Sequence, residues 1–274
     1  MARICFRIVL ATILGLLAWP AVAEKLTFGV GPQQSTTELA KRWVPILQYL
    51  SAKSGVELSF QTARDIPRFQ QEMRAGRYDF AFINPIHYTI VHRSSGYHAF
   101  AREKDGKLTG VLVARRNSVR ALEELRGLPI AFPSPSAIAA TAIPLAHLKD
   151  QRISVEPRYV ISMDSVYRAV AKGMFVAGGG EMRTLSMLDP AIREQLEIIW
   201  QAEPLPPFVF AAHPRVAAAD VARLRKAMED MHNDSRGVAL LKSIGFTGIT
   251  AASVADYAAL RGSRLVAAME SQAR

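Results

Sequence analysis

The chain has 274 residues, half of them apolar, with 34 basic against 24 acidic side chains, a net charge of +10 and one cysteine, Cys5. That length suits one large domain or two lobes, and the apolar half is enough for a packed core, which excludes a disordered chain. A single cysteine excludes a disulfide framework and thiolate metal clusters, while the basic balance points to anionic partners.

Residues 1–23 have the three-part layout of a secretory signal peptide. Arg3 and Arg7 open it, an uncharged and mostly apolar run covers 8–19, and Ala21-Val22-Ala23 forms an A-x-A site before Glu24. The uncharged stretch is short for a bilayer span of about 20 residues. No cysteine follows it for lipid attachment. The expectation is a periplasmic protein cleaved after Ala23, with a mature chain that has no cysteine and a net charge of +8. An exported protein does not meet chromosomal DNA, and the basic residues are scattered rather than patched, so nucleic acid is excluded as a partner.

A strand is predicted over 25–30 and is broken by Gly31-Pro32. Ser35, Thr36 and Thr37 offer N-caps to a helix over 37–50, where Leu39, Trp43, Ile46, Leu47 and Leu50 recur at helical spacing. Residues 56–60 alternate as a strand, and Asp65 caps a helix over 66–75 that Gly76 stops. Residues 78–83 read as a buried strand, and Asn84-Pro85 as an N-cap followed by proline at the first helical position. Further strands are expected at 110–114, 128–132, 157–161, 196–200 and 208–212, with a short apolar piece at 175–177 ended by Gly178-Gly179-Gly180. Helices are expected at 122–126, 137–148 (kinked at Pro144), 164–172, 218–231, 235–243 and 253–268. Strands alternating with helices indicate an α/β sheet with crossovers. No internal repeat and no flexible linker is evident.

The ordered set of elements resembles a family. It begins with Phe28-Gly29-Val30 and a helix ending near Leu50-Ser51, followed by Gly55-Val56-Glu57-Leu58. It continues with Gly76-Arg77-Tyr78-Asp79-Phe80-Ala81-Phe82-Ile83-Asn84-Pro85, then Val111-Leu112-Val113-Ala114-Arg115 and the helix start Ser162-Met163-Asp164-Ser165-Val166-Tyr167. Over nearly all of 25–246 the chain resembles the periplasmic solute-binding proteins of phosphate, phosphite and phosphonate ABC importers. The resemblance implies the type II periplasmic-binding fold: two α/β lobes joined by two crossing strands, with a ligand cleft between them that closes on its ligand. It implies lobe one over 24–113, lobe two over 114–206, and a return to lobe one over 207–274, with crossings near 111–115 and 204–210. The implied partners are a small anion and the importer's membrane subunits, with the protein acting as a monomer and not as an enzyme.

Anions sit well at helix N-termini, where unpaired N–H groups point outward. Four strand-to-helix turns offer such ends: 33–37, 84–85, 134–140 and 162–167. The candidate ligand-binding residues are Asn84, His87, Tyr88, Ser134, Ser136, Met163, Asp164, Ser165 and Tyr167. Taken singly, each small polar residue there reads as the cap of its own helix. Three departures from the family pattern stand beside this. The positions of a family Ser-Thr-Ser run hold Ala137, Ile138 and Ala139, a family histidine position holds Met163, and a ligand-facing tyrosine position holds Ile83. Losing those donors would be costly for a buried oxyanion, at about 1–3 kcal/mol per unpaired group.

His87, His92 and His98 are not spaced to share one helix face, and no cofactor or metal is expected. Gly178-Gly179-Gly180 lacks the Lys-Ser/Thr of a phosphate loop and is expected instead to permit a close backbone approach. Met163, Met174, Met182 and Met187 are expected to fill the core. The alternatives to an importer component are a ligand sensor for a membrane kinase, a binder of a different ligand, and an enzyme using Asp164 and His87.

Overall fold

The computed structural model describes residues 25–271. The expected signal peptide at 1–23 lies outside the described residues. The described chain forms two mixed sheets, each flanked by helices.

The first half of lobe one runs β1 (Leu26–Val30), α1 (Thr36–Ser54), β2 (Leu58–Gln61), α2 (Ile66–Arg74), β3 (Phe80–Ile83), α3 (Pro85–Ser95) and β4 (His98–Glu103). The second lobe holds β5 (Gly110–Arg115), β6 (Pro129–Phe132), α4 (Ile143–Asp150), β7 (Glu156–Tyr159), α5 (Met163–Ala171), β8 (Ala177–Glu181), α6 (Met182–Ser186), α7 (Pro190–Arg193) and β9 (Leu196–Gln201). The chain returns through β10 (Val209–Ala212), α8 (Ala218–Glu229), α9 (Ser235–Ser243), β11 (Ile249–Ala251) and α10 (Arg264–Ser271).

The first sheet has the order β11-β4-β10-β3-β1-β2. Its β1, β2 and β3 are parallel, whereas β10 runs antiparallel to both β3 and β4. The second sheet has the order β7-β6-β8-β5-β9, with β6 parallel to β7 and β8, and β5 antiparallel to β8 and β9. Parallel central strands with helices on both faces read as continuous apolar runs. Phe-Ala-Phe-Ile of β3 is buried throughout for this reason.

Local signals explain the helix ends. Ser35 Oγ accepts the Glu38 N–H at 3.3 Å, and α1 stops at Gly55, whose φ of 69° is the left-handed conformation that glycine adopts without strain. Asp65 Oδ1 accepts the Arg68 N–H at 2.8 Å at the start of α2. Trp43 of α1 packs on Phe82, ring centroids 4.9 Å apart, and ties the helix to the sheet.

Several elements differ from the sequence expectation. The expected boundary at 113/114 falls inside β5, which pairs wholly within the second sheet. Likewise β10 pairs wholly within the first. The chain therefore crosses between sheets at 104–109 and 202–208, and Leu108 and Leu205 pair there in an antiparallel bridge with N–H···O distances of 3.0 and 2.9 Å. Gly178-Gly179-Gly180 does not end a strand: it is the middle of β8. A Cβ on Gly179 would collide with the Ala140 carbonyl and the Phe132 ring, and one on Gly180 with the Tyr167 ring and hydroxyl. Bare backbone is what lets the neighbouring elements pack this closely. The helix expected over 137–148 is a π-type turn, Ile138–Ala142, followed by α4, with Pro144 in the first turn. The helix expected over 253–268 is split into a 3₁₀ segment, Val254–Leu260, and α10. Met174 is 69% exposed, not a core filler.

Candidate ligand cleft

The parallel strands carry their following turns to the facing edges of the two sheets, where ligands of open α/β sheets bind. The turn after β1 brings Gly31, Pro32 and Gln33; the turn after β3 brings Asn84 and His87. From the other lobe come Ser136, Ala137 and Ile138 after β6, Met163 at the start of α5, and Glu181 at the end of β8. These residues, with Ile66, Phe69, Gln70, Ile83 and Phe208, line a partly open cavity of about 50 Å³. A single water needs ~10–15 Å³, so the space suits a ligand of a few heavy atoms. The lobes touch around it: Ile66 of α2 packs against the second lobe's core, and Ile138 belongs to the first lobe's core.

Of the sequence-derived candidates, Asn84, His87, Ser136 and Met163 line this cavity. Asn84 caps α3, its Oδ1 accepting the His87 N–H at 3.0 Å. Pro85 has no N–H, so the amide of Ile86 is the one left among the first three helical positions. Ser136 Oγ is 3.0 Å from Ser134 Oγ.

The other candidates are placed elsewhere. Tyr88 is fully buried in the first lobe, its hydroxyl accepting the Ala99 N–H at 3.0 Å and its ring against Tyr257. Ser134 opens a local turn, its carbonyl accepting the Ala137 N–H. Asp164 pairs with Arg168 at 2.8 Å. Ser165 donates its N–H to the capping Ser162 Oγ. Tyr167 lies behind the cleft, where its hydroxyl donates to the Glu181 carbonyl at 2.8 Å and accepts the Glu181 N–H at 2.8 Å. It thereby fixes the backbone of a cleft residue without reaching the cavity.

Gln33, Gln70, Phe208 and Glu181 are cleft residues outside the candidate set, although the turn at 33–37 was among the four expected. No local motif marks Glu181; only the strand pairing of β8 carries it to the cavity. Glu181 is 3% exposed and its Oε2 has no hydrogen-bond partner. Burial pushes its carboxyl up to about 7, with Arg183 opposing. His87 is also 3% exposed, and its Nε2 is likewise unpartnered. Burial, and then the charge of Arg74, push its imidazole down to about 3, so it is neutral. No lysine or arginine lines the cavity among the described residues. The cleft is thus a mostly apolar chamber with amide groups, a neutral imidazole and one carboxyl turned into it. Among the described residues no group of three His, Cys, Asp or Glu is placed to hold a metal ion.

Two α/β lobes, joined by two chain crossings and lining a small cavity, define the type II periplasmic-binding fold. Over residues 28–257 the sequence matches the family of periplasmic substrate-binding proteins of phosphonate ABC transporters, and the chain belongs to that family. This is a family of exported transport proteins, not of enzymes. The phosphate-import protein PhnD of Mycolicibacterium smegmatis is 21% identical over 225 residues, covering 74% of this chain and 70% of that protein. The binding-protein component of an ABC phosphonate transporter from Pseudomonas aeruginosa superposes with a TM-score of 0.78 at 17% identity, over 91% of this chain and 88% of that one. PhnD1 from Prochlorococcus marinus, in complex with methylphosphonate, has a TM-score of 0.78 at 16% identity, over 87% of this chain and 96% of that one.

Proposed function

We propose that this protein captures a small phosphorus oxyanion (phosphate, phosphite or a phosphonate) in the cleft between its lobes and delivers it to the membrane subunits of an ABC importer. The observation that carries this reading is the partly open cavity at the N-terminus of α3, sized for a few heavy atoms and walled by both lobes. A helix N-terminus favours negative charge, and a site walled from both sides holds its ligand only when the lobes are closed. The names of the relatives, a phosphate importer and a methylphosphonate complex, support the choice of ligand class. In this reading residues 1–23 are removed after Ala23, and the mature protein works as a monomer in the periplasm. Asn84, His87, Ser136 and Met163 contact the ligand, and backbone N–H groups stand in for the hydroxyls absent at Ala137, Ile138 and Ala139.

A thermal-shift panel of phosphate, phosphite, methylphosphonate, 2-aminoethylphosphonate and several carboxylates tests it. A ligand at 1,000 times its Kd adds about 4.1 kcal/mol of stability, enough to raise Tm by several degrees. The expected result is a shift with at least one phosphorus compound. A shift with carboxylates alone, or with none of the panel, would discard the phosphorus assignment.

A further inference from the structure

The two lobes exchange apolar side chains across the cleft. Ile138 of the second lobe is 1% exposed and lies in a first-lobe core cluster that holds Ile83, Ile86 and Val209. Its neighbour Ala139, also 1% exposed, belongs to the first lobe's other core. Ile143, half-buried in the first turn of α4, packs against the same first-lobe cluster as Ile138. In return Ile66, at the start of α2, packs against the second lobe's core, which includes Ala137 and Met163. We infer that Ile66 and Ile138 form a reciprocal apolar lock: the closed form predominates before any ligand enters, and opening is the rare event that admits one.

The π-type turn builds the second lobe's half of the lock. In it the Ile143 N–H reaches back to the Ile138 carbonyl. A turn closed at that wider spacing brings residues five apart toward one face, whereas α-helical spacing turns them well apart. Both isoleucines therefore meet the first lobe. Ile138 also stands at the middle position of the family's Ser-Thr-Ser run. A hydroxyl there finds its partner on a ligand, but an apolar side chain finds it on the opposite lobe. Opening the cleft would return Ile66, Ile138 and Ile143 to water, and the burial of their apolar surface favours the closed form. These contacts are all between the chain's own side chains, so closure is favoured whether or not the cleft is filled. The Arg183–Glu103 pair adds a polar contact between the same two lobes.

Pulsed EPR on the protein from Glu24 to Arg274 tests this without reference to the ligand's identity. That stretch has no cysteine, so Arg64→Cys and Arg158→Cys give two spin-label sites, one on each lobe, at side chains 85% and 59% exposed. Arg64 and Tyr159, the residue after Arg158, line one groove that spans the two lobes. With no ligand added, the labelled parent should show one short-distance population. Adding Ile66→Ser and Ile138→Thr should raise the long-distance population at least about tenfold. A labelled parent that shows chiefly long distances overturns the lock, and so does a variant whose distribution matches the parent's. Ile66→Ser alone, at a half-buried position, carries the test should the combined variant fold poorly. Failure of the phosphorus assignment would leave these distances as they are, because no ligand takes part in the comparison.

Discussion

Arg183 and Glu103 join the two lobes. Arg183 belongs to α6 of the second lobe and Glu103 ends β4 of the first, with Nη1 3.2 Å from Oε2 and the two side chains 14% and 11% exposed. The guanidinium also lies over three first-lobe rings, with centroid distances of 4.7 Å to Phe208, 5.4 Å to Phe246 and 5.5 Å to Phe82. A flat, weakly hydrated cation suits such a cage of ring faces. Burial nonetheless pushes the Glu103 carboxyl up by more than Arg183 pulls it down. The pair is therefore a device for orienting the lobes more than a source of stability.

Arg183→Met should cost about 3–5 kcal/mol, because it strands Glu103 buried and unpaired. The double variant Arg183→Met with Glu103→Gln should recover most of that loss. Urea denaturation of the three proteins measures both steps, and equal loss in the single and double variants would contradict the assignment.

Stability should depend on pH through Glu181. Its folded carboxyl sits at about 7, above its ordinary value of 4.5, so between those values the folded state holds a proton that the unfolded state has released. Stability then falls as pH rises through that window, by about 3 kcal/mol in total. Urea midpoints between pH 6.5 and 8, above the range where His87 contributes, should show the end of this slope in the protein without ligand, and Glu181→Gln should remove it there.

His87 acts in the opposite sense. Its imidazole is held down at about 3, so below pH 6.5 the unfolded chain takes up a proton that the fold refuses. Stability falls as pH drops, by up to about 1.4 kcal/mol per unit. Between pH 4.5 and 6.5 the two groups oppose each other, so the wild type should be nearly flat there. Glu181→Gln should become more stable with rising pH and His87→Gln less. An NMR titration in which the His87 ring signals stay constant from pH 8 to 4.5 is the direct check.

Gly179→Ala should destabilise the protein by about 3 kcal/mol or more, since the new methyl meets the Ala140 carbonyl and the Phe132 ring. Gly127→Ala is the control. It has φ +73° and nothing within 4 Å of the added Cβ, so only the backbone penalty of about 1–2 kcal/mol applies. Equal denaturation midpoints for the two variants would remove the packing argument.

Tyr167→Phe should cost about 1–3 kcal/mol, because the N–H of Glu181 loses its partner, while the C=O keeps only the Thr184 hydroxyl at 2.9 Å. If the hydroxyl also positions Glu181 for a ligand, affinity for whichever oxyanion binds should fall with it. Calorimetry on the variant reads that second effect independently of stability.

Much of lobe one is legible in local patterning. The cap at Ser35, the stop at Gly55, the cap at Asp65 and the Asn84-Pro85 start of α3 all lie where short-range chemistry puts them. The strands β4 and β11 carry weaker signals. The first ends in Ala-Arg-Glu and the second has three residues, and both exist because β10 and β4 offer them ladder partners. Gly178-Gly179-Gly180 misleads for a related reason. Its intrinsic strand preference is poor, but α5 and the turn before α4 leave room for nothing larger.

The cleft divides along the same line. Asn84 and Met163 stand at helix starts, and helix starts are written in neighbouring residues through caps, proline and apolar spacing. The two-lobed α/β class follows from the same alternation of elements. Glu181, Gln70 and Phe208 have no such mark, and Tyr167 and Tyr88, which sit in turns or helices that look suitable, face their own cores. Which side of a strand or helix meets the opposite lobe depends on strand order, register and the path of the two crossings. Those are set by contacts between residues up to about two hundred positions apart, such as Arg42 with Ser243, and no local window of sequence contains them.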